Sequence, residues 1–379
     1  MTLVGVAVLL LWVYLLWRSG AGPWPATLGF RAHTQAKGSS IEASGSTTGP
    51  RRSVTAIIPA RNEAAVVAQS IHSLTEQSYA GPFRIVLVDD DSSDGTAGIA
   101  RNADASGRLT VVRAAPLPPG WTGKLWALSQ GVAHAGAPDY LLLTDADIVH
   151  PPQNLAGLVS RAERGYDLVS YMAKLKCDSP AERALIPAFV FFFFQLYPPA
   201  WIRNPRRKTA GAAGGCILIR REMLERIGGI AAIRGELIDD CALARAVKRA
   251  GGRVWLGLSK RTCSIRDYAT FGEIGRMISR TAFTQLRYSA LLLAGTVLGL
   301  AFTYLLPVAL TLAGQPLGAL AWLLMAICYW PALRFYGRSP LWAPLLPFVA
   351  AFYMACTVHS AVQYWRGAGG LWKGRVQAG

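Results

Sequence analysis

The residues best placed to do chemistry lie in Tyr140-Leu-Leu-Leu-Thr-Asp145-Ala-Asp147-Ile-Val-His150-Pro-Pro152. Residues 140–143 are apolar and end at a polar turn, the pattern of a short buried strand. Such a strand delivers Asp145 and Asp147 to its C-terminal end, where ligands bind in open α/β sheets. Two carboxylates on one turn suit a hard divalent cation, since Mg²⁺ is typically held by one or two carboxylates plus substrate phosphates. The plainer alternative is a surface turn, because Asp-x-Asp alone is a short pattern. The surrounding chain has to decide between them.

The composition points to a membrane. Of 379 residues, 52% are hydrophobic and 16% charged, and the mean hydropathy is +0.28. That balance departs from an ordinary soluble domain. The formal charge is +17, from 39 basic and 22 acidic residues. In a chain with long apolar segments, anionic lipid headgroups and a polyphosphate substrate explain this charge better than nucleic acid. Cys177, Cys216, Cys241, Cys263, Cys328 and Cys356 show neither close pairing nor zinc-ligand spacing. They read as small buried residues of a reduced compartment.

Five segments follow from the patterning. Residues 1–18 read as a membrane anchor, apolar up to Arg18 and short for a span. Its N-terminus is expected outside, because Arg18, Arg31, Lys37, Arg51 and Arg52 all follow the apolar run. Residues 19–52, rich in Gly, Ser, Thr, Ala and Pro, read as a flexible linker. Residues 53–289 open as alternating strand and helix: strands over 54–58 (stopped by Pro59), 83–88, 109–112 and 140–143, with helices over 64–77, from Asp94, and over 124–134. That alternation predicts an α/β fold with a doubly wound, mostly parallel sheet. No G-x-G-x-x-G or Walker A sequence follows the first strand, which argues against a dinucleotide site and a P-loop. Residues 290–365 hold three apolar segments of near-spanning length, with Pro307, Pro331, Pro344 and Pro347 expected to kink them. A basic tail, 366–379, closes the chain. Three spans would put its cations outside, against the charge rule, so a re-entrant segment is the alternative.

Four ordered motifs carry a family resemblance. Pro59-Ala-Arg61-Asn62-Glu63 is similar to the P-x-x-N-E turn of family 2 glycosyltransferases, and Val88-Asp-Asp90-Asp-Ser-Ser-Asp94-Gly-Thr96 resembles their V-D-D-G-S-x-D-G-T. Asp145-Ala-Asp147 has the order and distance of their D-x-D, and Asp239-Asp240-Cys-Ala-Leu243-Ala-Arg245 is similar to E-D-x-x-L-x-x-R. The resemblance implies a GT-A fold and inverting transfer from a nucleotide sugar. Lys124-Leu-Trp-Ala-Leu and Arg276-Met-Ile-Ser-Arg280-Thr, with the apolar C-terminal segments, look closest to hopanoid-biosynthesis-associated and ceramide-glucosyltransferase-like members.

The same resemblance assigns roles. Pro59, Arg61 and Glu63 line the turn that grips base and ribose. Asp90 would accept the imide N–H of uracil, which favours a UDP-sugar; the plainer use of acids and serines here is helix N-capping. Lys124 would meet the diphosphate as a point charge, or else is a solvated helix start. Asp147 is the expected main ligand of Mg²⁺ or Mn²⁺, with Asp145 on the ribose or the metal's waters, and the cation would neutralise the leaving diphosphate. Asp240 is the expected catalytic base, with Asp239 beside it where most relatives have Glu. Arg280 matches the Arg of Q-x-x-R-W. Met277 and Thr281 replace the Gln and Trp, departures that argue against a processive synthase. The D-A-D stretch also resembles that of polyprenyl-phosphate mannosyltransferases, but Val149 stands in place of a ligating Gln, and His150 reads as a turn residue, the alternative being a support behind the metal ligands.

The middle of the chain bears on the acceptor. Residues 181–201, with their run of phenylalanines, read as an interfacial helix near the active site or as a buried helix of the catalytic domain. Arg203, Arg206, Arg207 and Lys208 follow and suit anionic headgroups. Residues 211–216, nearly all small, resemble the family's acceptor wall, where backbone can approach a sugar. The reading is a membrane-bound, metal-dependent hexosyltransferase on the cytoplasmic face of the cell inner membrane, acting on a lipid acceptor. A polyprenyl-phosphate or ceramide-like glycosyltransferase is the second reading. A catalytically silent scaffold of the same fold is the third, though it would have no need of Asp90, Asp147 and Asp240.

Overall fold

The computed structural model describes residues 2–18, 51–369, 371–372 and 375–376. The linker expected over 19–52 lies outside the described residues but for its last two. So do several residues of the expected tail. The chain forms two compact units, one built on a sheet and one of apolar helices.

The sheet unit holds eight strands: β1 Val54–Ala60, β2 Phe83–Asp89, β3 Leu109–Arg113, β4 Tyr140–Thr144, β5 Ile148–Val149, β6 Leu168–Lys174, β7 Cys216–Arg220 and β8 Val254–Ser264. Their order is β3-β2-β1-β4-β7-β6-β8-β5. The first four are parallel neighbours, where strand-helix alternation predicts it. Beyond β4 the sheet is mixed: β7 runs antiparallel to both β4 and β6, β5 runs antiparallel to β8, and β6 pairs β8 in parallel. Both faces are covered. Ala56, Ile58, Ile85 and Leu87 pack with Val67, Ile71 and Leu74 of the helix Val67–Thr75 on one face, and Val86 and Val88 pack with Ala127 of the helix Gly123–His134 on the other. All seven residues of β1 are buried, as a central strand clad on both sides requires. The strand runs on through Pro59 to Ala60 instead of stopping before it. The β4 ladder ends at Ile57–Leu143, so at Pro59 only β2 still pairs and the missing N–H falls where β1 has become an edge on one side. From β1 the chain goes to β2 and β3 in one direction, while β4 enters on the other side. The crevice at the carboxyl ends of β1 and β4 is therefore the switch point at which such sheets bind ligands.

The second unit joins the helix Thr2–Arg18 with Lys176–Pro198 and Asp267–Val376. Three of its helices, Ala290–Leu312, Pro316–Phe335 and Pro340–Trp365, are long and apolar enough to cross a membrane. Pro307 has no N–H to offer the Thr303 carbonyl four residues back, and the Trp12 indole N–H donates to that oxygen at 2.9 Å. A proline in one apolar helix thus creates the acceptor that fixes the N-terminal helix. The phenylalanine-rich helix Pro180–Leu196 also belongs here. Phe191 packs edge-on to Tyr329, and Phe192 lies against Tyr304 and Tyr353. A capping box between Ser179 and Glu182 starts this helix, and Glu182 also accepts from the backbone N–H of Tyr268 at 2.8 Å.

The helix Gly123–His134 carries Lys124 and lies close on the sheet because residue 131 is glycine. A Cβ there would stand 2.3 Å from Ile57 Cγ2 and 3.2 Å from Val88 Cγ2. Ala is the better helix former by ~1 kcal/mol. Overpacking outweighs this, and Gly131→Ala is expected to destabilise the protein by about 1–3 kcal/mol. A melting temperature at or above that of the wild type would contradict the close packing.

Candidate active site

The turns after β1 and β2 are stitched together. The N–H groups of Asn62, Glu63 and Ala64 donate to Ser92 Oγ (3.0 Å), Thr96 Oγ1 (2.9 Å) and Asp94 Oδ2 (2.9 Å), and Ser93 N–H donates to Asn62 Oδ1 (2.9 Å). Asn62 and Asp91 adopt φ of 51° and 57°, a region that Asn and Asp tolerate best among residues with a Cβ. The helix Thr96–Ala103 begins at Gly95 without a side-chain cap. The polar side chains of the V-D-D stretch mostly join the two loops, and Asp94 Oδ1 also accepts from the first N–H of that helix, at Thr96, at 3.1 Å. Asp90 is 2% exposed. Its N–H donates to Ala60 O at 2.8 Å, Arg61 donates to its carbonyl, and Arg61 Nη1 lies 3.8 Å from its Oδ2.

The Asp145–Asp147 turn is gripped from two sides. Asp147 is buried. Its Oδ2 accepts from Ser264 Oγ at 2.7 Å and from Arg266 Nε at 3.2 Å, while Arg266 Nη2 reaches both carboxylate oxygens of Glu63 at 2.8 Å. The antiparallel pairing of Ile148 with Ser264, continued by Ile265 N–H to Asp147 O at 2.9 Å, puts Ser264 and Arg266 there. Neither residue stands out in the sequence, because nothing in Cys263-Ser-Ile-Arg266-Asp-Tyr resembles a motif.

On the other side Lys124 Nζ lies 2.9 Å from Asp145 Oδ1 and 3.1 Å from Asp239 Oδ2. Burial alone would lower the pKa of this ammonium. Asp145 and Asp239 outweigh burial, and the pKa is raised. Asp240 follows in the first turn of the helix Asp239–Arg249, whose start has no side-chain cap. Its carboxylate accepts from Gly214 N–H at 2.9 Å and from Cys241 N–H at 2.6 Å. Burial first, and Asp239 second, push the Asp240 carboxyl up to about 6, against the pull of Lys124 and the two N–H donors. Gly214 is needed at this point: a Cβ would stand 3.2 Å from Lys124 Nζ and 3.6 Å from Asp240 Oδ2. Pro59, Lys124, Asp145, Gly214, Asp239 and Asp240 line one hollow. The sheet unit thus gathers Pro59, Arg61, Glu63, Asp90, Lys124, Asp145, Asp147, Asp239 and Asp240 around one sheet edge. Arg280 belongs to the other unit, exposed at the C-cap of the helix Phe271–Ser279.

The donor set can be tested against a divalent cation. Among the described residues, no three His, Cys, Asp or Glu side chains cluster as a ready-made metal shell. Asp147, with Asp145 two residues away, fits a cation that takes its remaining ligands from phosphate and water, the usual habit of Mg²⁺.

His150, read from the sequence as a turn residue, follows the short strand β5 and is 3% exposed. Thr144 Oγ1 donates to Gly215 O at 2.8 Å, so His150 Nε2, 2.9 Å away, must donate to Thr144 Oγ1. His150 Nδ1 then accepts from Asn154 Nδ2 at 2.9 Å, and Asn154 Oδ1 accepts from Thr262 Oγ1 at 3.1 Å. This network assigns a neutral Nε2–H tautomer. It braces the Asp145–Asp147 turn against β8 and the small-residue wall before β7.

Burial holds His150 down at about 3, against 6.5 for a free imidazole. A depressed folded-state value means that the unfolded chain takes up the proton first. The stabilisation is complete above 6.5 and is lost progressively as the pH falls towards 3. Moving from pH 7 to pH 5 should therefore cost the wild type about 1–2 kcal/mol through this residue alone. His150→Gln should melt lower at pH 7 but lose less between pH 7 and pH 5. Parallel pH dependence in the two proteins would exclude the assignment.

A family model for glycosyl transferase family 2 matches residues 55–228. That span runs from β1 through the helix after β7, and so includes the stitched turns, Lys124 and the Asp145–Asp147 turn. Among solved structures, a mannosyltransferase from Pyrobaculum calidifontis in complex with GDP-Man and Mn²⁺ superposes with a TM-score of 0.55 at 21% identity, covering 94% of this chain and 97% of that one. The shared fold is GT-A. Glucosyl-3-phosphoglycerate synthase from Mycobacterium tuberculosis, in complex with Mg²⁺ and uridine-diphosphate, aligns over 62% of this chain and 79% of that one at 19% identity. Its TM-score of 0.42 is too low to carry an argument.

Proposed function

We propose that the protein is a membrane-bound inverting glycosyltransferase that moves a hexose from a nucleotide sugar to a lipid hydroxyl. The observation that carries this reading is the single hollow in which Lys124 ties the donor turn, through Asp145, to Asp239 beside the buried carboxyl of Asp240. The stitched turns after β1 and β2 hold the nucleoside, with Asp90 meeting a uracil imide and Glu63 the ribose. Asp147 and Asp145 are the residues that would hold Mg²⁺ or Mn²⁺. When bound, that cation supplies charge neutralisation to the departing diphosphate.

Inversion needs one in-line displacement. The acceptor oxygen bonds to the anomeric carbon from the face opposite the diphosphate, the bond to the diphosphate breaks, and the acceptor proton passes to Asp240. Gly214 N–H and Cys241 N–H each occupy one oxygen of that carboxylate, which fixes its plane and leaves a lone pair for the proton.

A lipid acceptor is supported by the three apolar helices and by the basic loop after Trp201. There Lys248 Nζ lies 2.7–3.3 Å from the carbonyl oxygens of Trp201, Asn204, Arg207 and Thr209, four acceptors that share three N–H groups, which gathers a loop with Arg206, Arg207 and Lys208 exposed. Such a loop suits anionic headgroups on the cytoplasmic face of the inner membrane. A hopanoid-type acceptor rests on the sequence resemblance alone.

Asp240→Asn should lower transfer by at least about 10²-fold while UDP binding, measured by calorimetry, persists. Asp239→Asn should be milder. The base works ionised, so the wild-type rate should fall as the pH drops through about 6. Asp239→Asn removes a charge that raises the Asp240 value, and its acid limb should move to lower pH. Near-normal transfer by Asp240→Asn beside a dead Asp239→Asn would shift the base one residue back. Full activity of the wild type in excess chelator would remove the cation from the reading, and efficient elongation of a soluble oligosaccharide would remove the lipid.

A further inference from the structure

Arg266 stands between two acids that the proposed donor site would use. Its guanidinium joins two acids from different turns, reaching Glu63 through both carboxylate oxygens and Asp147 through Oδ2. The nucleotide-sugar reading gives these acids to the ribose and to a divalent cation. A cation at Asp147 and a guanidinium 3.2 Å from its Oδ2 cannot both stay at full strength, because the positive charges would repel across a few ångströms in a partly dry site. Glu63 already gives one lone pair on each oxygen to Nη2, so a ribose hydroxyl would share that carboxylate with the guanidinium. The Arg266 side chain is 30% exposed while its partners Glu63 and Asp147 are 9% and 12% exposed. The acids are buried, and the arginine is the more exposed partner of each pair. A freed guanidinium beside a diphosphate finds a stronger partner, since its planar fork matches phosphate oxygens.

We propose that Arg266 is a displaceable counterion. In the empty site it neutralises Glu63 and Asp147 and keeps them apart from stray cations, and the arriving donor and metal exchange it onto the diphosphate. The proposal rests on the nucleotide-sugar reading. It makes Arg266 a competitor of the metal alone and a partner of the metal with nucleotide. A plain structural ion pair would affect neither in that opposed way.

The test uses the full-length protein in detergent. Mn²⁺ binding without nucleotide is followed by the electron paramagnetic resonance of free Mn²⁺, and UDP binding in saturating Mn²⁺ by calorimetry. Arg266→Gln should bind Mn²⁺ alone about tenfold more tightly and UDP about tenfold more weakly, each equal to ~1.4 kcal/mol. Arg266→Lys keeps a point charge without the fork. It should fall between wild type and Arg266→Gln for Mn²⁺, bind UDP as weakly as Arg266→Gln, and serve as the readout should the Gln variant fail to fold. Mn²⁺ affinity unchanged or reduced in the folded variants overturns the proposal while leaving the donor reading intact. A wild type that takes up neither Mn²⁺ nor UDP overturns that reading, and the proposal with it.

Discussion

Glu63, Asp145, Asp147, Asp239 and Asp240 converge on one edge of the sheet, and mutual repulsion is the constraint the site has to meet. Two carboxylates ~4 Å apart repel by about 4 kcal/mol at the effective dielectric of a protein surface. The protein meets this with cations brought from elsewhere in the chain. Lys124, at the start of the helix Gly123–His134, bridges Asp145 and Asp239. Arg266, just past β8, bridges Glu63 and Asp147. Each cation links two acids from different elements, so the same contacts that cancel charge also set the distances between loops. Charge balance and site geometry are therefore one feature.

The mixed topology makes that arrangement reachable. An all-parallel sheet would bring only βα turns to this edge. Because β7 is antiparallel to β4, with Thr144 opposite Cys216, the residues entering β7 lie beside the residues leaving β4. Gly214 and Gly215 thereby reach Asp240 and Thr144 with backbone groups. The buried chain from Thr262 through Asn154 and His150 to Thr144 then ties β8 to that turn. A neutral histidine suits this place, since a charged one would add a cation next to a balance already struck.

The legible and illegible parts of the sequence divide by range of interaction. The first four strands and the Asp145–Asp147 turn follow from local periodicity and turn chemistry, which act over a few residues. Asp90, Asp145, Asp147, Asp239 and Asp240 stand in stretches whose resemblance to a family is itself local. Arg266 meets Glu63 across 203 positions and Asp147 across 119. No spacing rule covers such distances, and an arginine after a strand is ordinary. His150 read as a turn residue. Its burial depends on Gln77, Asn154 and Thr144 closing around it, a tertiary event. The phenylalanines of 189–194 left two readings open, since a short apolar run carries no information about which partner covers it. Its packing against Tyr304, Tyr329 and Tyr353 had to be seen.

The same balance bears on the proposed base, Asp240. A base for an alcohol must be ionised at neutral pH and yet hold a proton well, which favours a value not far below the working pH. An exposed aspartate, at 3.8, is too weak. Burial and Asp239 raise Asp240, while Lys124, Cys241 N–H and Gly214 N–H restrain it, and the result lies near 6. Lys124 faces both ways in this account. By binding Asp239 it removes part of the repulsion that raises Asp240, and by standing near Asp240 it stabilises the carboxylate directly. On the proposed reading a diphosphate draws on that ammonium, and both restraints weaken together. Asp240 would then become the stronger base at the moment the donor is in place, and donor binding and proton removal would be coupled through one lysine.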